Sequence, residues 1–153
     1  MPTLYMLIGV PAAGKSTWLE KNKTGGVIIS SDDHIERLAA ERGQTYNEAF
    51  RDVSGQAMTL MMQDLRAAIK AGEDIYWDQT NTGVKSRAKK LKQVPSNYRK
   101  VAVFFKTPDD AEHERRLASR PGKSIPAHVM KTMKENLQFP TKDEGFNEIV
   151  NVA

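Results

Sequence analysis

Cysteine is absent from the 153 residues. Disulfides, thiol nucleophiles and thiolate metal sites are thereby excluded, and a reducing compartment fits, so cytoplasm is the expected location. Long apolar runs are missing too. The longest extend a few residues, against the roughly 20 that a membrane-spanning helix needs, and Met1 to Tyr5 lacks the basic start of a signal peptide. Neither membrane insertion nor export is expected. Acidic residues are missing from Gln79 to Thr107, a stretch that holds Lys85, Arg87, Lys89, Lys90, Lys92, Arg99, Lys100 and Lys106. The rest of the chain is net acidic under an overall charge of +4. Such a cluster is either a face that attracts a phosphate backbone or a solvated helix surface. His34, His113 and His128 are too scattered for a metal cluster and are expected at the surface or in local hydrogen bonds. No G-x-S-x-G nucleophile elbow occurs.

What is present is a globular composition, 39% apolar and 27% charged, of a length that suits a single domain over residues 1–153. Leu4-Tyr5-Met6-Leu7-Ile8 is apolar without alternation, as in a parallel strand covered on both faces. Val27–Ser30, Ile75–Trp77, Val101–Phe105 and Glu148–Val152 read as further strands. Helical spacing marks Asp33–Glu41, capped by Asp32 or Asp33, then a long helix from about Asn47 to Ala71 stopped by Gly72. Within it Met58, Met61 and Met62 are expected to be core. Basic residues dominate a short helix from Lys85 to Val94, and further helices follow Pro108 and Pro126. Alternating strands and helices predict an α/β fold with a mostly parallel sheet of four or five strands flanked by helices.

Between the first strand and first helix, Gly9-Val10-Pro11-Ala12-Ala13-Gly14-Lys15-Ser16 matches G-x-x-x-x-G-K-[ST] in full. The spacing lets successive backbone amides, from Gly9 through Pro11, Ala12, Ala13 and Gly14 to Thr17, converge on phosphate oxygens. Lys15 adds positive charge near the β- and γ-phosphates, and the Ser16 hydroxyl is a ligand for magnesium. ATP and Mg²⁺ are the expected cofactors. No D-x-x-G follows the third strand, and Thr141-Lys142-Asp143-Glu144 carries Glu144 where a guanine-reading T-K-x-D needs Asp. A small ATP-dependent kinase is favoured over a GTPase.

Acidic and polar residues cluster where the second and third strands end, the edge at which ligands bind in a parallel sheet. Asp32 could take the proton of an attacking hydroxyl, and Asp78 could hold a magnesium-bound water. Thr80 and Asn81 could position acceptor or donor phosphates, though the turn after the third strand equally fits local hydrogen bonding. Arg116 and Arg120 share a face if their helix continues to Arg120, and with Arg115 they lie in a segment, about 112–126, that could close as a lid and clamp phosphate oxygens.

Gly9 through Trp18, Ser31-Asp32-Asp33, Thr80-Asn81 and Arg116 through Arg120 together resemble the kinase domain of the bacteriophage polynucleotide 5′-kinase family, over most of the chain to about Leu137. The resemblance implies a P-loop kinase fold with an arginine-bearing lid, and transfer of the ATP γ-phosphate to 5′-OH ends of DNA or RNA. It implies that Lys15 and Ser16 bind donor phosphate and magnesium, that Asp32 activates the hydroxyl, that Arg120 and Arg116 clamp the phosphates, and that Thr80 lies near the acceptor. Ile35 stands where the family has an acceptor-binding arginine, with Arg37 a nearby substitute. The family's carboxy-terminal phosphatase domain does not fit within these 153 residues, so 3′-phosphatase chemistry is not expected of them. A small-molecule kinase acting on a nucleoside, sugar or antibiotic hydroxyl, and a nucleotide-dependent binding module, are the alternatives.

Overall fold

The computed structural model describes all 153 residues. Five parallel strands, β1 (Thr3–Ile8), β2 (Val27–Ile29), β3 (Ile75–Asp78), β4 (Arg99–Phe105) and β5 (Glu148–Val152), form one sheet in the order β2-β3-β1-β4-β5. The helices are α1 (Lys15–Asn22), α2 (Ser31–Glu41), α3 (Tyr46–Ala71), α4 (Val84–Leu91), α5 (Asp110–Ala118) and α6 (Ala127–Glu135). The expected α/β sheet is therefore present, with five strands and β1 at its centre.

The apolar run of β1 is explained by burial on both faces. Leu4, Met6 and Ile8 join a core with Met61 and Leu65 of α3 and Leu91 of α4, whereas Leu7 points into the opposite core with Leu19 of α1 and Met130 of α6. A third cluster seals α2 onto α3, through Ile35, Leu38 and Ala39 against Ala49, Val53 and Ala57. Ile35 is thus a packing residue. Each such fully buried aliphatic side chain contributes roughly 1.5–3 kcal/mol relative to exposure, enough to fix the angle at which α2 leaves the sheet.

Several local expectations are corrected. α2 begins two residues earlier than its apolar spacing suggests, because Ser30, not Asp32 or Asp33, is the cap and its hydroxyl accepts from the Asp33 amide at 3.2 Å. Neither carboxylate is spent on the cap. The helix after Pro108 ends at Ala118, so the condition that would put Arg116 and Arg120 on one helical face is not met, and Arg120 sits in the turn beyond it. Met61 is core, but Met58 is 44% exposed. His113 is fully buried.

The acid-free segment is only partly a basic surface. Lys85, Lys89 and Lys92 are exposed, but Arg87 is fully buried and grips Glu144 with two bonds, Nε to Oε1 at 2.8 Å and Nη2 to Oε2 at 3.2 Å. Its third nitrogen donates to the carbonyls of Asn81 and Thr82. Lys90 also turns inward, bonding Asn81 Oδ1 and lying over the Trp77 ring. The near-match to a guanine-reading motif therefore has a structural purpose: Thr141 and Glu144 close a capping box, and Glu144 neutralises Arg87.

Removing one partner of a buried ion pair strands the other charge, whereas an exposed pair contributes little. Glu144→Ala is expected to destabilise the fold by about 3–5 kcal/mol in urea denaturation. Glu148→Ala, which breaks the exposed Arg99–Glu148 pair, is expected to cost under about 1 kcal/mol. Equal losses would show that burial does not set the value of the Arg87 contact.

Candidate active site

The carboxyl ends of β1, β2 and β3 and the arginine-bearing segment after β4 enclose a cavity of about 1000 Å³. Its floor is the loop between β1 and α1. Gly9 closes β1 where only a glycine fits, since a Cβ there would meet the Phe105 Cβ at 2.9 Å, and its amide donates to the Thr80 carbonyl at 2.9 Å. Gly14 caps α1 in the left-handed region at φ 107°, and Ala12 is also left-handed at φ 62°. No side chain caps α1 and no acidic residue occupies its first turn. Its free amides point to the cavity side and suit an anion.

Pro11, Ala12, Ala13, Gly14, Lys15, Ser16 and Thr17 all line the cavity, as do Asp32, Asp78, Thr80, Arg116 and Arg120. Lys15 Nζ donates to the Gly9 carbonyl at 2.7 Å. Withdrawal from water lowers the pKa of this ammonium to about 8, and the charges of Asp78 and then Asp32 oppose that fall. Both carboxylates line the cavity with Lys15. Burial raises the pKa of Asp78, against the pull of Lys15.

Two of the acceptor candidates are elsewhere. Arg37 is tied to His34 and Glu41 on the outer side of α2 and does not line the cavity. Asn81 is buried, left-handed at φ 50°, and spends its side chain on the Leu7 carbonyl at 2.7 Å and on Lys90. Its role is to pin the β3 loop to β1, which sets Thr80 at the cavity wall. The acceptor side of the wall is instead acidic, with Asp32, Asp33 and Glu36 met by Lys123. Burial raises the Asp33 pKa, and the charges of Glu36 and Asp32 add to the rise.

The arginines are held from both sides. Arg116 Nε donates to Glu112 at 2.9 Å and its Nη1 to the Ala12 carbonyl at 3.3 Å. Hydrogen bonds from Arg115 and then Arg116 pull the Glu112 carboxyl down to about 2. His113 Nε2 donates to the Pro11 carbonyl at 2.7 Å and so seats α5 on the phosphate loop. Tyr46, Gln79, Glu112 and Lys123 complete the surroundings of the site. Tyr46 carried no sequence signal, because its neighbour Asp32 belongs to a different helix and their meeting depends on how α2 packs against α3.

Residues 4–140 match the family described as AAA domain. The chain belongs to that family. Among solved structures, a candidate kinase from Chloroflexus aurantiacus J-10-fl superposes with a TM-score of 0.71 at 17% identity, covering 99% of this chain and 87% of that one. A chain of the Pnkp1/Rnl/Hen1 RNA repair complex gives 0.69 at 21% identity, over 95% of this chain and 46% of that one. This chain thus spans less than half of that relative. A gluconokinase from Sinorhizobium meliloti 1021 gives 0.52 at 17% identity, over 99% of this chain and 82% of that one. These likenesses establish a P-loop kinase fold.

Ser16 and Asp78 offer one hydroxyl and one carboxylate at the cavity, and no cluster of three His, Cys, Asp or Glu residues is built to hold a metal. That donor set fits Mg²⁺, which keeps several waters and takes its remaining ligands from phosphates.

Because the free Lys15 ammonium titrates near pH 8, polyphosphate binding should raise its pKa and draw in a proton above that pH. ATP affinity is expected to be flat below pH 7 and to fall toward a limit of about tenfold per pH unit above 8. Calorimetry at pH 9 in buffers of different ionisation enthalpy should register proton uptake that Lys15→Met abolishes. Uptake that survives Lys15→Met would assign the proton to another group.

Proposed function

We propose that this protein is an ATP- and magnesium-dependent kinase whose acceptor is the 5′-hydroxyl end of DNA or RNA. The observation that carries the kinase reading is the placement of Lys15 and Asp32 on one cavity, where the Asp32 charge acts on the Lys15 ammonium. Donor phosphates rest on the amides of the β1–α1 loop and on Lys15. The acceptor oxygen forms its bond to the γ-phosphorus as the bond to the β,γ-bridging oxygen breaks, ADP leaves with that electron pair, and the acceptor proton passes to Asp32. Arg116 and Arg120 neutralise the transferring oxygens once Arg116 exchanges Glu112 for phosphate. Ser16 and Asp78 would hold magnesium, which supplies charge neutralisation at the phosphates when bound. Residues 112–126 serve as the lid.

The polynucleotide acceptor is supported by the order of the phosphate loop, aspartate pair, Thr-Asn turn and lid arginines, by the exposed Lys85, Lys89 and Lys92 on α4, and by likeness to a chain of an RNA repair complex. A second reading, a small-molecule kinase acting on a nucleoside, sugar or antibiotic hydroxyl, is favoured by the acidic acceptor wall and by the outward direction of Arg37.

A panel of 5′-OH oligonucleotides, mononucleotides, nucleosides and sugars with labelled ATP separates the two. The expected result is label at oligonucleotide 5′ ends; transfer only to small hydroxyl compounds establishes the second reading. Asp32→Ala is expected to lower turnover about 10²–10⁴-fold with ATP affinity within about twofold. Turnover that stays intact removes Asp32 as the base. Reversing Lys85, Lys89 and Lys92 to Glu should weaken oligonucleotide use and flatten its salt dependence by about one unit of log–log slope per lost phosphate contact. An unchanged slope rules out that face.

A further inference from the structure

The α2–α3 contact brings the first turns of both helices together at the cavity mouth. Tyr46 opens α3, one residue after the Thr45–Glu48 capping box that fixes where the helix starts. From there its hydroxyl donates to Asp32 Oδ1 at 2.7 Å. Burial raises the pKa of the phenol, and the bond to Asp32 raises it further, so the hydroxyl stays protonated and acts as donor. Aspartate's terminal torsion is otherwise broad, with no staggered well to choose one orientation. A single strong bond to one oxygen restrains it and leaves the other oxygen's lone pairs available.

The ring that carries this hydroxyl is itself held by the tip of the lid. Lys123 Nζ lies 4.7 Å from the Tyr46 centroid and pairs with Glu36 on α2. Phe50, one turn along α3, is 5.7 Å away on a tilted plane. The next residue, Asn47, takes hold of the same lid tip: its amide donates to the Gly122 carbonyl at 3.1 Å, its Nδ2 to Ser124 Oγ at 2.6 Å, and its Oδ1 accepts from the Ser124 amide at 3.2 Å. Gly122 is left-handed at φ 70° and a Cβ there would press on Thr45 Cβ at 2.9 Å, so the tip is shaped to lie against this corner.

We propose that Tyr46 is a positioning residue for phosphoryl transfer: it holds Asp32 Oδ1 so that Oδ2 is left for the acceptor hydroxyl, and docking of the lid tip on Tyr46 and Asn47 steadies the ring that does so. The inference rests on Asp32 being the base. It gives the lid a second task beyond delivering Arg116 and Arg120 to the donor, since the same segment that brings arginines over the phosphates also orders the carboxylate on the acceptor side. Base orientation then improves only when the lid is seated, which disfavours proton abstraction while the cavity stands open to water.

Tyr46→Phe keeps the ring, its Lys123 and Phe50 contacts and the helix start, and removes only the hydroxyl. In transfer from ATP to a 5′-OH oligonucleotide it is expected to lower kcat about ten- to a hundredfold, with KM for ATP within about twofold and the unfolding temperature unchanged. Lys123→Met should lower kcat less, and the double variant should lose less than the product of the two effects, because both act through one carboxylate. The contact is also read with no acceptor at all: the side-chain ¹³Cγ resonance of Asp32 should move on Tyr46→Phe and on Lys123→Met. Unchanged kcat in Tyr46→Phe beside an inactive Asp32→Ala, or an unmoved ¹³Cγ resonance, overturns the positioning role alone. Multiplicative losses overturn the link to the lid. Full turnover in Asp32→Ala overturns both this inference and the kinase mechanism beneath it.

Discussion

The ammonium of Lys15, withdrawn from water at the floor of the cavity, is the charge on which the site depends. Desolvation works against it, and the carboxylates of Asp78 and Asp32 offset part of that penalty. Lys15 and Asp32 stand in the first turns of α1 and α2, which follow β1 and β2, and Asp78 ends β3, so their grouping is a property of the sheet order rather than of any loop alone. A parallel sheet with β1 between β3 and β4 places its strand ends, and the loops that follow them, on one edge. Polyphosphate would add the negative charge that the carboxylates only partly supply, and the carboxylates would then be released toward metal and acceptor.

The strands and the phosphate loop were legible because their signals are local. Leu4 to Ile8 could be recognised from burial on two faces, and Gly9 to Ser16 from conformations that glycine tolerates and most residues resist. The place of Asp32 at the cavity was legible from its position after β2, but its release from capping was not. That release depends on Ser30 taking the cap, a choice between neighbouring side chains that turns on a backbone angle the spacing does not report. Arg120 lines the cavity although α5 ends before it, so its place there comes from the turn after Ala118 and not from a helical face shared with Arg116.

Charge was the least legible property. Along the sequence the acid-free segment reads as one basic cluster, yet α4 turns Arg87 and Lys90 inward and Lys85, Lys89 and Lys92 outward. The inward pair is balanced at a distance, Arg87 by Glu144, which lies 57 positions away in sequence. A window that counts charges cannot see that partner. The functional reach of the segment is accordingly of two kinds: three lysines available to an approaching polyanion, and two cations that hold the Asn81 loop and through it the position of Thr80.

That division bears on how donor and acceptor sides are kept in register. The β3 loop is tied to the phosphate loop by the Thr80 carbonyl and to β1 by Asn81, so the Asp78–Thr80 wall moves with the donor cradle as one body. α5 is tied to that same cradle through His113 and Arg116. α2 is tied to that wall by one side-chain bond, from Gln79 Nε2 to Ser31 Oγ at 3.0 Å; its broad seal is to α3, and its acidic first turn meets Tyr46 and Lys123. Residues 112–126 touch both halves, Arg116 the Ala12 carbonyl at one end and Gly122 and Ser124 the α3 corner at the other, so in the proposed reaction their seating would order the Asp32 carboxylate against the donor cradle.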